Sequence, residues 1–140
     1  FARDMELDPG AADQRMILHA RAQVVLAARA AARPALDQVC LAIRDAQIFR
    51  QDAEQGQALG YQGKLCIHPS QLATCNEVYS PTPEQIERAQ RIVAAAKAAE
   101  SQGLGVFSLD NKMIDAPVVA AQQAILARAR LAGLINGEQT

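Results

Sequence analysis

Gly60-Tyr61-Gln62-Gly63-Lys64-Leu65-Cys66-Ile67-His68-Pro69-Ser70-Gln71 is the stretch on which the reading of this chain turns. It reads as a stop, a buried strand and a loop that opens a helix. Gly60 ends a helix, because glycine takes the left-handed cap conformation without steric cost. Residues 64–67 form a short apolar run between turn residues, which suits a strand buried on both faces. Pro69 has no N–H to pair, and its fixed φ suits the first turn of a helix. His68 therefore falls at the carboxyl end of a strand, where open α/β sheets and (β/α) barrels place their ligands.

Working outward, the periodicity predicts a long helix over residues 12–32. Met16, Ala20, Val24, Ala27 and Ala31 recur at three- and four-residue spacing as its apolar stripe, with Arg15, Arg21 and Arg29 off it on a solvated face. His19 reads as an exposed or packing residue of that helix. Pro34 stops the helix. A buried strand is expected within residues 36–43, and Asp45 is placed to cap a second helix that runs to Leu59. Residues 69–79 read as a third, shorter helix. Ser80-Pro81-Thr82-Pro83 breaks the chain and divides it into residues 1–80 and 81–140. Thr82 and Gln85 have capping-box spacing at the start of a fourth helix ending near Ser101. Asp110-Asn111 suits the turn of a hairpin over residues 105–115. Pro117 opens a last helix, with Ala116 expected as its cap, and residues 136–140 are expected to fray. Pro9-Gly10 reads as a turn near the start. Alternating strands and helices indicate a parallel sheet with crossover helices.

A chain of 140 residues can bury a core of its own, but a complete (β/α)8 barrel takes roughly 250. The first residue is Phe, so the chain reads as a fragment or tail of a longer polypeptide. Lys and Arg number 14 against 15 Asp and Glu, so no basic field points to nucleic acid. Half the residues are apolar, but the excess is alanine, and no run approaches the ~20 residues of a membrane span. No basic region followed by an apolar stretch marks a signal peptide. Cys40, Cys66 and Cys75 have neither Cys-x-x-Cys nor zinc-like spacing, and read as reduced thiols of a cytoplasmic protein.

The block Gly60-x-x-Gly63-Lys64-x-x-Ile67-His68-Pro69-x-Gln71 resembles the last barrel strand of the HpcH/HpaI aldolase and citrate lyase beta-subunit family. Three further blocks stand in the family's order: Ala20-Arg21-Ala22-Gln23-Val24-Val25-Leu26-Ala27-Ala28-Arg29-Ala30, Pro34-Ala35-Leu36-Asp37, and Gly105-Val106-Phe107-Ser108-Leu109-Asp110-Asn111-Lys112-Met113-Ile114-Asp115-Ala116-Pro117. The resemblance implies an α/β fold, the C-terminal part of a (β/α)8 TIM barrel with about two complete strand-helix units, followed by a helix-hairpin-helix arm.

Phe1-Ala2-Arg3-Asp4 is similar to the family's Gly-Ala-Glu-Asp turn, which implies that Asp4 is one of two carboxylates holding Mg2+. Phe1 and Arg3 depart from that pattern, and the partner glutamate belongs to a strand this chain lacks. A solvated carboxylate near a chain end is the local alternative. His68 has three open roles from its position alone: general base, metal ligand, or a loop residue shaping a pocket. The resemblance implies the last, with Ile67, His68 and Pro69 against the coenzyme A arm. Gln71 can meet a ligand at the helix N-terminus or be an ordinary surface glutamine. Lys64 begins its strand and so serves structure rather than phosphate. For Asp115 the local role is helix-start electrostatics. The resemblance implies that it enters a neighbouring subunit as general acid-base.

The implied activity is Mg2+-dependent carbon-carbon cleavage of a 3-hydroxyacyl thioester carried by coenzyme A or an acyl carrier protein, in a homo-oligomer. The isolated chain is expected to be inactive and, with open strand edges, to self-associate. Two other classes fit the same residues: a non-catalytic oligomerisation or scaffold module, and a same-fold aldolase acting on a hydroxy keto acid without a thioester.

Overall fold

The computed structural model describes residues 4–8 and 14–136. The expected turn at Pro9-Gly10, the start of the first helix at residue 12 and most of the expected C-terminal fraying lie outside the described residues. The chain divides between Tyr79 and Ser80 into two compact units.

The first unit is built around one parallel strand pair. Helix α1 (Arg15–Ala30) leads to β1 (Leu36–Asp37); α2 (Ala46–Leu59) then crosses to β2 (Gly63–Lys64). The strands pair in parallel, Leu36 against Gly63 and Asp37 against Lys64. Local chemistry fixes the crossover helix at both ends. The Asp45 carboxylate accepts from the N–H groups of Gln47 and Ile48, and Gly60 caps the other end at φ 101°. A 3-10 turn, Pro69–Gln71, then precedes α3 (Leu72–Tyr79), so the expected third helix comes in two parts. Cys40, Phe49, Ala53, Cys75 and Val78 form the core between the segment after β1, α2 and α3. Val25, Ala35 and Tyr61 form a second cluster under α1.

Two expectations fail here. The strand of residues 64–67 pairs only over Gly63–Lys64, and it is buried on one face alone. Leu65 is 51% exposed and Ile67 45%. Leu65 N still donates to Asp37 O, but beyond it the Ile67 N–H is taken by the Gln71 side chain, which ends the ladder. The predicted stripe of α1 is also turned outward. Met16 and Val24 are about half exposed, while Arg21 and Val25 are buried. Alanine carries too little apolar surface to set the rotation of such a helix, and ion pairs at Arg21 decide it instead.

The second unit contains α4 (Pro83–Glu100), the antiparallel hairpin β3 (Phe107–Leu109) and β4 (Lys112–Ile114), and α5 (Ala116–Leu131). Thr82 and Gln85 form the capping box reciprocally. Asp110 and Asn111 have φ values of 51° and 58°, the left-handed pair that a two-residue type I′ turn requires. Ile86, Ala89, Leu126 and Ala129 join α4 to α5, and the fully buried alanines let the helices approach closely. Among the described residues no helix is long and apolar enough to cross a membrane.

Candidate functional site

The loop that leaves β2 is held by its own side chains. His68 has extended backbone and caps the 3-10 turn: its Nδ1 accepts from Ser70 N at 3.2 Å and lies 2.8 Å from Ser70 Oγ. His68 and Pro69 are exposed. Gln71 is not a surface residue. It is 2% exposed, its Oε1 accepts from Ile67 N at 2.9 Å, and its Nε2 donates to Cys40 O at 3.0 Å. Both ends of the amide are therefore committed. Gln71 orders the loop after β2 and ties it to the segment after β1. A cavity of about 200 Å3 lies beside this join, bordered by Ile43, Arg44, Phe49, Ser70, Gln71 and Thr74.

Beneath the strand pair lies a buried ion cluster that the sequence reading missed. Asp37, fully buried, accepts from Arg21 Nε at 3.1 Å, Arg21 Nη2 at 2.5 Å and Lys64 Nζ at 3.1 Å. Asp52 completes the cluster at 3.2 Å from Arg21 Nη1 and 2.6 Å from Lys64 Nζ. Two cations thus face two carboxylates. Burial opposes the Arg21 charge, but its bond to Asp37 prevails and holds the guanidinium above its ordinary pKa. Lys64 Nζ also donates to Gln38 O at 2.8 Å, so this lysine locks the strand pair, the structural role its position implied. Arg21, by contrast, is no part of a solvated arginine face. The readable signal was Asp37 itself, a charge set between Leu36 and Val39 in a stretch expected to be a buried strand.

Tyr79 has its hydroxyl buried with no hydrogen-bond partner among the described residues. Burial first, and then the Asp37 charge, push the phenol well above its ordinary pKa. Cys75 is likewise pushed up, by burial and then by a hydrogen bond with Cys66.

Asp115, in the second unit, lies between the hairpin and α5 and is half-buried. Its carboxylate accepts from Val118 N at 3.1 Å, so Asp115 is the N-cap of α5 and Ala116 is the first helical residue. The expectation that Ala116 caps is corrected: Pro117 occupies the second helical position, where its missing N–H is equally harmless. Asp4 is an exposed carboxylate in a turn over residues 4–6, and residues 1–3 of the motif lie outside the described residues. A hard oxygen donor of this kind fits one ligand position of Mg2+, an ion often held by one or two carboxylates, waters and substrate oxygens. Among the described residues no group of three or more His, Cys, Asp or Glu side chains could hold a metal on its own.

Parallel strands joined by a crossover helix define an α/β protein. The chain belongs to the HpcH/HpaI aldolase/citrate lyase family, whose model matches residues 1–69. It is 48% identical over 111 residues to the citrate lyase subunit beta-like protein of Deinococcus radiodurans, covering 79% of this chain and 39% of that protein. It is 39% identical over 118 residues to the citrate lyase subunit beta of Escherichia coli K12, covering 84% and 39%. Among solved structures it is similar to protein CitE of Mycobacterium tuberculosis in complex with magnesium, acetoacetate and coenzyme A. That match has a TM-score of 0.74 and 30% identity, and covers 92% of this chain and 48% of that one. The chain spans about two fifths of the length of the curated relatives it matches.

Proposed function

We propose that this chain is part of a Mg2+-dependent carbon-carbon lyase that cleaves a 3-hydroxyacyl thioester of the citryl-, malyl- or citramalyl-CoA type into an acyl thioester and a keto acid. In this reading residues 1–80 are the C-terminal part of a TIM barrel and residues 81–140 an arm. The observation that carries it is the Ile67–Gln71 loop, ordered at the carboxyl end of a parallel strand. The likeness to a protein solved with magnesium, acetoacetate and coenzyme A supports the same reading.

The roles are those that the family resemblance implies. Ile67, His68 and Pro69 present the exposed surface of the loop to the thioester arm. Gln71 acts behind them, as a positioning residue. Asp4 would hold Mg2+ together with a carboxylate from outside this chain. When bound, the metal stabilises charge on the oxygens of the keto-acid half as a Lewis acid. In the cleavage direction the carbon-carbon bond breaks, the hydroxyl proton leaves, the hydroxyl carbon becomes the keto carbon, and the acetyl carbon gains a proton. Asp115, carried by the arm to a neighbouring subunit, holds that proton. The active species is a cytoplasmic homo-oligomer.

The test is keto-acid release from citryl-, malyl- and citramalyl-CoA by the full-length polypeptide, with and without a chelator. Release from at least one thioester that stops on chelation and returns with Mg2+ is expected. No release from any of them, with cleavage of a free hydroxy keto acid instead, would favour the non-thioester aldolase.

A further inference from the structure

The face of the second unit where α4 meets the β3–β4 hairpin holds a charge arrangement that the lyase reading does not use. A cavity of about 170 Å3 is lined there by Arg88, Arg91, Lys112 and Asp110 over Ile92 and Ile114. Ile92 and Ile114 are each 3% exposed, so the floor is apolar and fixed, while the Arg91 and Asp110 side chains above it are more than half exposed. Arg88 and Arg91 stand three residues apart on α4, which puts both guanidinium groups on one face. Lys112 opens β4 and enters from the hairpin wall. Arg91 is already engaged, donating from Nη2 to Asp110 at 2.7 Å. Arg88 and Lys112 have no ion-pair partner among the described residues. Three cations against one carboxylate leave two positive charges uncompensated.

We infer that this cavity binds a dianionic phosphate group. Charge decides between the candidate anions. A phosphate monoester carries about −1.5 to −2 near neutral pH and balances both free cations, whereas a carboxylate balances one. The residue types suit it: an arginine fork takes two phosphate oxygens and a lysine adds a mobile point charge. The volume lies below the about 300 Å3 at which pockets for drug-sized ligands begin, so a head group enters and the rest of its molecule extends outside. Inorganic phosphate and the 3′-phosphate of a coenzyme A-type nucleotide both present this chemistry.

Calorimetric titration of the 140-residue chain distinguishes them. The probes are inorganic phosphate, coenzyme A and 3′-dephospho-coenzyme A, against potassium chloride at matched ionic strength. Saturable phosphate binding is expected, weakened about tenfold by Arg88→Gln and by Lys112→Gln, each an exposed position whose change leaves the core intact. Arg128→Gln on α5, outside the cavity, should leave it unchanged. A parallel loss for coenzyme A but not for its 3′-dephospho form identifies the nucleotide phosphate as the ligand. Indifference of coenzyme A to both variants identifies free phosphate. Absence of saturable phosphate binding, equal affinity in the parent and both variants, or an equal loss in Arg128→Gln overturns the inference. Cleavage activity is not read in this test, so its outcome is separate from that of the lyase reading.

Discussion

Asp37→Ala should be among the most damaging single changes in the first unit. The Asp37 side chain is fully buried and accepts four hydrogen bonds: two from Arg21, one from Lys64 Nζ and one from Gln38 N at 2.9 Å. Its removal leaves Arg21 and Lys64 buried with Asp52 as their sole carboxylate among the described residues. Breaking a buried pair from one side costs about 3–5 kcal/mol, since the partner charge loses its compensation without regaining water. Domain stabilities are only about 5–15 kcal/mol, so the loss is a large fraction of the whole. Both tyrosines, Tyr61 and Tyr79, lie in the first unit and the chain has no tryptophan, so tyrosine fluorescence reports this unit alone during urea unfolding. The midpoint should fall with little change in slope. Adding Lys64→Met removes one stranded cation, and the double variant should lose less than the sum of the two single losses by at least about 1 kcal/mol. An Asp37→Ala loss below about 1 kcal/mol, or strict additivity with Lys64→Met, refutes the claim that this cluster locks the strand pair.

Three other substitutions probe single contacts. Gly56→Ala places a Cβ well inside contact with Asp37 Oδ2 and 2.6 Å from Tyr79 Oη; because Asp37 is pinned, a net loss of about 1–2 kcal/mol in urea unfolding is expected despite alanine's better helix propensity. Tyr79→Phe removes a buried hydroxyl without a partner and should be neutral or stabilising by up to about 1 kcal/mol. The folded-state phenol pKa is raised, so the unfolded chain loses its proton first and stability falls as pH rises above about 10; Tyr79→Phe should flatten that fall in alkaline unfolding curves. Thr82→Ala opens the capping box of α4 and should cost about 1 kcal/mol, read in thermal unfolding by circular dichroism.

What the sequence disclosed is what nearest neighbours determine. Asp45 and Gly60 bound α2 because each acts on its own turn. Asp110-Asn111 disclosed the hairpin because both residues tolerate positive φ. Thr82 and Gln85 cap reciprocally across three residues. The ion cluster joins α1, β1, α2 and β2, and no local pattern pairs Arg21 with an aspartate sixteen residues on. For the same reason the rotation of α1 was misread, since its orientation comes from that long-range pair and not from its alanines. Gln71 was buried by a partner on another loop, the carbonyl of Cys40. The Asp115 cap was missed by one residue because proline is equally tolerated at the first and second helical positions.

The lyase reading is tested most directly at Asp115, whose capping role makes the decisive substitution clean. Asparagine caps a helix about as well as aspartate, so Asp115→Asn keeps the bond to Val118 N while removing the titratable proton carrier. In the full-length polypeptide, steady-state cleavage of the preferred acyl-CoA thioester should show kcat reduced by about a hundredfold or more, the usual scale for losing a general acid-base, with the unfolding curve unchanged. A kcat near that of the parent would leave Asp115 as a helix cap alone and contradict the account.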